Sequence, residues 1–369
     1  MSRAPALTRP RRATRRIQVG GVAVGGGAEI SVQSMTNTDT RDVEATLGQI
    51  RALAEAGADI VRVSCPDEEA ARAVGPLRAG SPVPLIADIH FDHRLALIAL
   101  ENGVEGLRLN PGNIGSRARV TEVVRAAAER NVPIRIGVNA GSLERDLLLK
   151  YGEPCAEAMV ESALGHVRIL EELDYREIKV SLKASSVAMT VDAYRRLAEV
   201  VDYPLHLGIT EAGGLLPGSV KSAVGLGLLL AEGIGDTLRI SLSADPLHEV
   251  KVGFELLKAL GLRSRGVTII ACPTCSRQEL PVIDLTARLE ELLAHIRENI
   301  TVSIIGCVVN GPGEAKESHI GIVGGGGENL LYRAGKAVGK VADGMVVERV
   351  VEEVEGLAER MRSALDGVA

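Results

Sequence analysis

From residue 29 to residue 245 the chain repeats one texture. A short apolar run rich in β-branched residues ends in polar residues, and a stretch rich in Ala, Leu, Glu and Arg follows. The apolar runs cover 30–35, 59–64, 83–89, 106–109, 133–138, 177–182, 204–209 and 237–242, and read as strands. Between them the spacing predicts helices over 43–56, 94–101, 117–130, 155–173, 190–201 and 220–233. Strands that alternate with helices are what a parallel sheet with crossover helices requires. Eight such strands suit a (β/α)8 TIM-type barrel better than an open doubly wound sheet. Neither G-x-G-x-x-G after the first run nor G-x-x-x-x-G-K-[ST] occurs, which argues against a dinucleotide fold or a P-loop.

The texture changes after Leu262. Strands are expected at 267–271, 301–306 and 319–323, with helices at 285–297, 330–341 and 347–365. The Gly324–Gly327 run reads as a turn between strand and helix. This is a second, smaller α/β module with its own apolar segments, so domains are expected over 1–263 and 264–369. Ahead of the barrel stand Arg9, Arg11, Arg12, Arg15 and Arg16, followed by a short hairpin around residues 17–22. No apolar signal core follows them, so they are expected to be a solvated start to the domain, in a cytoplasmic protein.

Composition narrows the function. With 42 Lys and Arg against 48 Asp and Glu, the chain has no global positive field to hold nucleic acid. Five Tyr, two Phe and no Trp leave few faces on which bases could stack. Apolar stretches fall far short of the ~20 residues that span a bilayer. Five Cys in a chain of 369 residues do not make a disulfide framework.

Against this mildly acidic background, cations recur in the barrel strands: Arg62, Arg108, Arg135, Lys183 and Arg239. A barrel gathers its active-site groups at the C-terminal ends of its strands. Carboxylates at comparable places are fewer, namely Asp88, Glu211 and Asp245. Unpaired cations in apolar runs are costly, and guanidinium suits bidentate contact with phosphate oxygens. A multiply charged anionic substrate is the direct inference; Arg–carboxylate pairing between neighbouring strands is the plainer alternative. Polar residues complete the expected rim, among them Gln33, His90, Asn110, Asn139, Ser142, Ser181, His206, Thr210 and Ser241. Glu211, in the segment Gly208-Ile209-Thr210-Glu211-Ala212-Gly213-Gly214, is the candidate general acid or base.

The second module carries Cys272-Pro273-Thr274-Cys275 and then Cys307, which precedes Asn310-Gly311-Pro312-Gly313-Glu314. A C-x-x-C turn and a third thiol after the next strand can converge on one metal centre. The Gly-Pro-Gly segment is expected to turn the chain back, so that Glu314 approaches the same centre. Three thiolates leave one iron of a cubane without protein sulfur, and a carboxylate there would be a displaceable ligand. Zinc held by the same four groups is the rival reading. Cys155 reads as a small helical residue, and Cys65 as a thiol at a barrel end.

These segments, with Ser31-Val32-Gln33-Ser34-Met35-Thr36-Asn37-Thr38, Leu107-Arg108-Leu109-Asn110-Pro111-Gly112-Asn113 and Ile136-Gly137-Val138-Asn139-Ala140-Gly141-Ser142, carry a resemblance. The chain resembles the bacterial 4-hydroxy-3-methylbut-2-enyl diphosphate synthases of the methylerythritol phosphate route to isoprenoids, in their two-domain form. The resemblance implies a [4Fe-4S] cluster on Cys272, Cys275, Cys307 and Glu314. It implies the substrate 2-C-methyl-D-erythritol 2,4-cyclodiphosphate, held by Arg62, Arg108, Arg135, Lys183 and Arg239 with Asn139, Ser142 and Ser241. Glu211 would supply or relay the proton. It implies ferredoxin or flavodoxin as electron donor, and a homodimer in which the cluster domain of one subunit covers the other's barrel. A zinc-stabilised sugar-phosphate aldolase or lyase, with Lys183 forming a Schiff base, is the alternative from another class.

Overall fold

The computed structural model describes residues 7–366. The chain divides into two compact units, between Arg263 and Ser264. The first opens with an antiparallel hairpin, β1 (Arg16–Val19) and β2 (Val22–Gly25). Eight parallel strands follow: β3 (Ser31–Met35), β4 (Ile60–Ser64), β5 (Leu85–Asp88), β6 (Gly106–Arg108), β7 (Ile134–Asn139), β8 (Ile178–Lys183), β9 (His206–Leu207) and β10 (Thr237–Leu238). Their order runs β8-β7-β6-β5-β4-β3-β10-β9, and a parallel bridge between Val180 and Leu205 joins the two ends into a barrel.

Helices follow the strands and bury one apolar stripe each. The helix Val43–Ala56 starts where the Asp42 side chain accepts from the Ala45 N–H, and stops at Gly57 in a left-handed conformation. The helix Glu68–Gly80 was not among the predicted ones. Its Gly75-Pro76 pair breaks the helical texture, yet Asp67 caps it and Ala70, Ala71, Val74 and Leu77 bury its inner face. Ile17, Val19 and Val24 of the hairpin pack on Ile60 and Ile86, which fills the N-terminal end of the barrel. The expected solvated arginines are partly spent there as well. Arg11 pairs with Asp236 at 3.0 Å and Arg12 donates to the Tyr203 carbonyl at 2.6 Å, while Arg9 and Arg16 are exposed. The stopper leaves the C-terminal end of the barrel as the end that can receive a ligand.

The second unit is a five-stranded sheet in sequential order: β11 (Val267–Ala271), β12 (Ile300–Ile305), β13 (Ile320–Val323), β14 (Glu328–Arg333) and β15 (Lys336–Ala342). The first three strands run parallel and the last two antiparallel. Its core includes Leu285, Leu289, Ile300, Val302, Ile304, Ile320 and Ile322, covered by the helices Val282–Leu292 and Val346–Asp366. The helix expected at 330–341 is instead the β14–β15 hairpin. Asn329, Leu331 and Tyr332 are buried while Glu328 and Arg333 are exposed, and Gly335 turns the chain at φ +79°. The Gly324–Gly327 run therefore connects two strands.

Candidate functional site

Seven of the predicted site residues line one cavity of about 140 Å³ in the barrel: Arg62, Arg108, Arg135, Asn139, Lys183, Arg239 and Ser241. Asp88, His90, Ser181 and Thr210 share its wall. Two glycines make the room. A Cβ at Gly137 would sit 2.7 Å from Arg108 Nε, and one at Gly208 would sit 2.6 Å from Lys183 Nζ.

Arg135 was expected at the barrel mouth, yet it is the second residue of β7 and 1% exposed. Register explains this. Arg108, last in the short β6, is level with Arg135, because staggered barrel strands reach one height at different positions. His206, expected on the rim, is likewise fully buried, with Nε2 3.5 Å from Lys183 Nζ.

The cations fall into two classes. Asp88 serves two of them, with Oδ2 3.5 Å from Arg62 Nε and Oδ1 3.2 Å from Arg108 Nη1. Burial would raise the Asp88 carboxyl, but Arg62 and Arg108 outweigh it and hold it down at about 2. Burial lowers Arg62 to about 10 in spite of Asp88. Arg239 is gripped at 3.2 Å through Nε and Nη2 by Glu249, which also accepts from Ser34 Oγ and the Leu242 N–H. For these three the plainer reading, pairing with carboxylates, holds. Arg135 and Lys183 differ. Arg135 Nη1 donates to Ser181 Oγ at 2.9 Å, and its Nε and Nη2 have no partner among the described residues. Burial, then neighbouring cations, push Arg135 and Lys183 well below their ordinary values. Both groups lack a counter-charge, and a bound polyanion would provide it.

Sequence reasoning passed over Glu249 and Lys179. Glu249 lies on the helix Pro246–Ala259, beyond the last strand, so no strand-end search meets it; its signal is an acid on the buried face of that helix. Lys179 stands two residues before Ser181 in β8, on the same inward face. Ser142 lies outside the main cavity, in an adjoining one that shares His90, Arg108 and Asn139. Glu211 is exposed and does not line the cavity, although its neighbour Thr210 does. Its φ of +51° is a left-handed backbone, which costs a non-glycine residue roughly 1–3 kcal/mol and recurs at functional loops.

In the second unit, Cys272 follows β11 and Cys307 comes just after β12, the neighbouring parallel strand. Cys272 Sγ accepts from the Gly306 N–H at 3.3 Å. Cys275 and Glu314 are exposed and Cys307 is half-buried. The expected reversal at Gly-Pro-Gly is instead the start of a short helix, Gly311–Glu317, with Pro312 in its first turn, where a missing N–H costs nothing. Glu314 stands in that turn. Among the described residues no three His, Cys, Asp or Glu side chains close up as a metal site. The donor set itself, three free thiols and a carboxylate in the first turn of a short helix, fits an iron–sulfur cluster, and would also suit zinc. Among the described residues no helix is long and apolar enough to cross a membrane.

Residues 14–254 match the family model of the GcpE TIM-barrel domain, and residues 268–356 that of the GcpE protein C-terminal domain. The chain is 71% identical over 364 residues to the 4-hydroxy-3-methylbut-2-en-1-yl diphosphate synthase (flavodoxin) of Magnetococcus marinus, covering 99% of this chain and 98% of the relative. It is 62% identical over 348 residues to the Geobacter sulfurreducens protein of the same name, covering 94% of this chain and 99% of the relative. Among solved structures, a dihydropteroate synthase from Stenotrophomonas maltophilia aligns with 67% of this chain and 97% of its own, at TM-score 0.50 and 16% identity. That likeness is one of fold alone.

Proposed function

The chain belongs to the GcpE family, and from that premise we propose that it converts 2-C-methyl-D-erythritol 2,4-cyclodiphosphate to (E)-4-hydroxy-3-methylbut-2-enyl diphosphate, an isoprenoid precursor. The ring C–O bond opens, the C3 hydroxyl leaves as water, and two electrons and two protons enter. The observation that carries the reading is the cavity in which Arg135 and Lys183 have no carboxylate of their own, in a chain whose second unit also bears the free thiols Cys272, Cys275 and Cys307, and Glu314 in a short helix.

Arg135 and Lys183 take the diphosphate charge, while Arg62, Arg108 and Arg239, already aligned by Asp88 and Glu249, add fixed donors around it. Asn139, Ser142 and Ser241 hydrogen-bond the substrate, and Glu211 delivers the proton that departs with the hydroxyl. Cys272, Cys275, Cys307 and Glu314 would hold a [4Fe-4S] cluster, which when bound supplies electrons and a Lewis-acidic iron. The relatives' name points to reduced flavodoxin as donor. The same relatives disfavour the zinc lyase, since both carry the name of the synthase.

Cavity and thiols serve one substrate in this reading, and they meet between two copies of the chain. Mixing Arg135→Ala with Cys307→Ser and allowing subunits to exchange should return roughly a quarter of wild-type turnover, because one site of each mixed dimer is intact. No recovery after verified exchange excludes that arrangement. The direct test of the function uses protein purified without oxygen. Brown protein with matched iron and acid-labile sulfide should form the linear diphosphate with reduced flavodoxin. Colourless, zinc-loaded protein without turnover would overturn the reading.

A further inference from the structure

The amine of Lys179 serves no step described above. Lys179 is 1% exposed and pairs in register with Arg135 across β7 and β8. It shares the inward face of β8 with Ser181 and Lys183, both of which line the cavity, so it lies beneath them in the barrel. Its Nζ has no hydrogen-bond partner among the described residues.

The groups around it are cationic or basic. Arg135 faces it from β7 and Arg62 from β4, with Lys183 further along its own strand and His206 on β9. The carboxylates of this interior are engaged elsewhere, Asp88 with Arg62 and Arg108, and Glu249 with Arg239. An ammonium in a dry core without a counter-charge is strongly disfavoured. Burial, then Arg135 and Arg62, bring Lys179 down to about 7, so at about pH 8 most of it is neutral.

We propose that Lys179 is a positioning residue that becomes charged when a diphosphate fills the cavity above it. The anion supplies the missing counter-charge and the amine takes up a proton. The new charge beneath Arg135 strengthens the field on the anion and presses the guanidinium toward it. The proposal rests on reading the cavity as a diphosphate site, and the experiment separates the two.

The full cluster-loaded chain is titrated calorimetrically with inorganic pyrophosphate at about pH 8, in buffers of different ionisation enthalpy. Wild type should take up about one proton more per anion than Lys179→Met, and should bind about tenfold more tightly. Comparing the two proteins cancels the protons that pyrophosphate itself gains or loses. Lys179→Gln, which keeps a similar reach without the charge, should repeat both shifts. Lys179→Met should not melt below wild type, because it removes an unpartnered buried amine. Equal proton uptake in wild type and variants overturns the proposal, as does a lower melting point with unchanged affinity. Pyrophosphate that fails to bind wild type overturns the cavity reading instead.

Discussion

Inside the barrel, Arg62, Arg135 and Lys183 are buried among strands before any ligand arrives, whereas in the second unit Cys275 and Glu314 are exposed on connecting segments and Cys307 is half-buried. The difference follows from charge and from core size. Holding cations out of water is costly, and a large core of interlocked strands and helices can bear that cost and fix the geometry in advance. The smaller unit has fewer buried residues, and its thiols are soft ligands whose arrangement a metal centre can itself complete. An anion site of the first kind should lose affinity step by step as charges are removed. A cluster site of the second kind should fail as a whole.

The largest effect is therefore expected at the thiols. Cys272→Ser, Cys275→Ser or Cys307→Ser should each lose most of the iron and essentially all turnover, while pyrophosphate affinity of the barrel stays at the wild-type level. Iron analysis beside calorimetry checks both halves. Loss of anion binding along with the iron would show that the two sites are not independent. Glu314→Ala should keep a fragile cluster yet lose turnover, and full activity would remove the case for a displaceable carboxylate.

Next in size is the proton donor. Glu211→Gln keeps the side-chain shape and should lower turnover at least ~100-fold with substrate binding intact. The left-handed backbone at Glu211 gives the test its edge, because Gln accepts that conformation no more readily than Glu. Wild-type turnover in the variant would move the role to His90, which stands on the cavity wall, to the buried His206 or to bound water.

Arg135→Ala and Lys183→Ala should each weaken pyrophosphate binding by roughly 1.5–3 kcal/mol, as expected for a charge-assisted contact, with iron content unchanged. Binding that ignores both changes would place the anion elsewhere.

How much of this could be read from the chain depends on which physical signal is local. Parallel strands buried on both faces leave continuous apolar runs, so all eight barrel strands were legible. The cations were legible for the same reason, since charge inside an apolar run stands out. Their depth was not. Arg135 and His206 lie in the interior because of strand stagger, which no single segment encodes. Glu249 escaped because it lies on a helix beyond the last strand, ten residues past its partner Arg239. The β14–β15 hairpin was misread because Leu330, Leu331, Ala334 and Ala337 fall at helical spacing; the left-handed glycine at 335 and the pairing of β14 with β13 decide otherwise.

The smallest predicted effect separates the paired cations from the unpaired ones. Asp88 is the sole carboxylate bridging Arg62 and Arg108 among the described residues, and its carboxyl is held at about 2 against an ordinary 3.8. A carboxyl depressed in the folded state binds its proton more readily in the unfolded chain. Its contribution is complete above the ordinary value and disappears as the pH falls through 4 toward 2. The shift corresponds to about 2 kcal/mol of stability. Asp88→Asn cannot titrate there, and it leaves two buried guanidinium groups without their counter-charge, so at pH 7 it should be clearly less stable than wild type. Between pH 4 and pH 2 that gap should narrow by about 2 kcal/mol, as wild type loses what the variant never had. Denaturant titrations of both proteins, at matched ionic strength across this range, measure the narrowing. A gap that stays constant would mean that Asp88 does not hold its charge against the two arginines, and that Arg62 and Arg108 belong with Arg135 and Lys183 among the cations awaiting an anion.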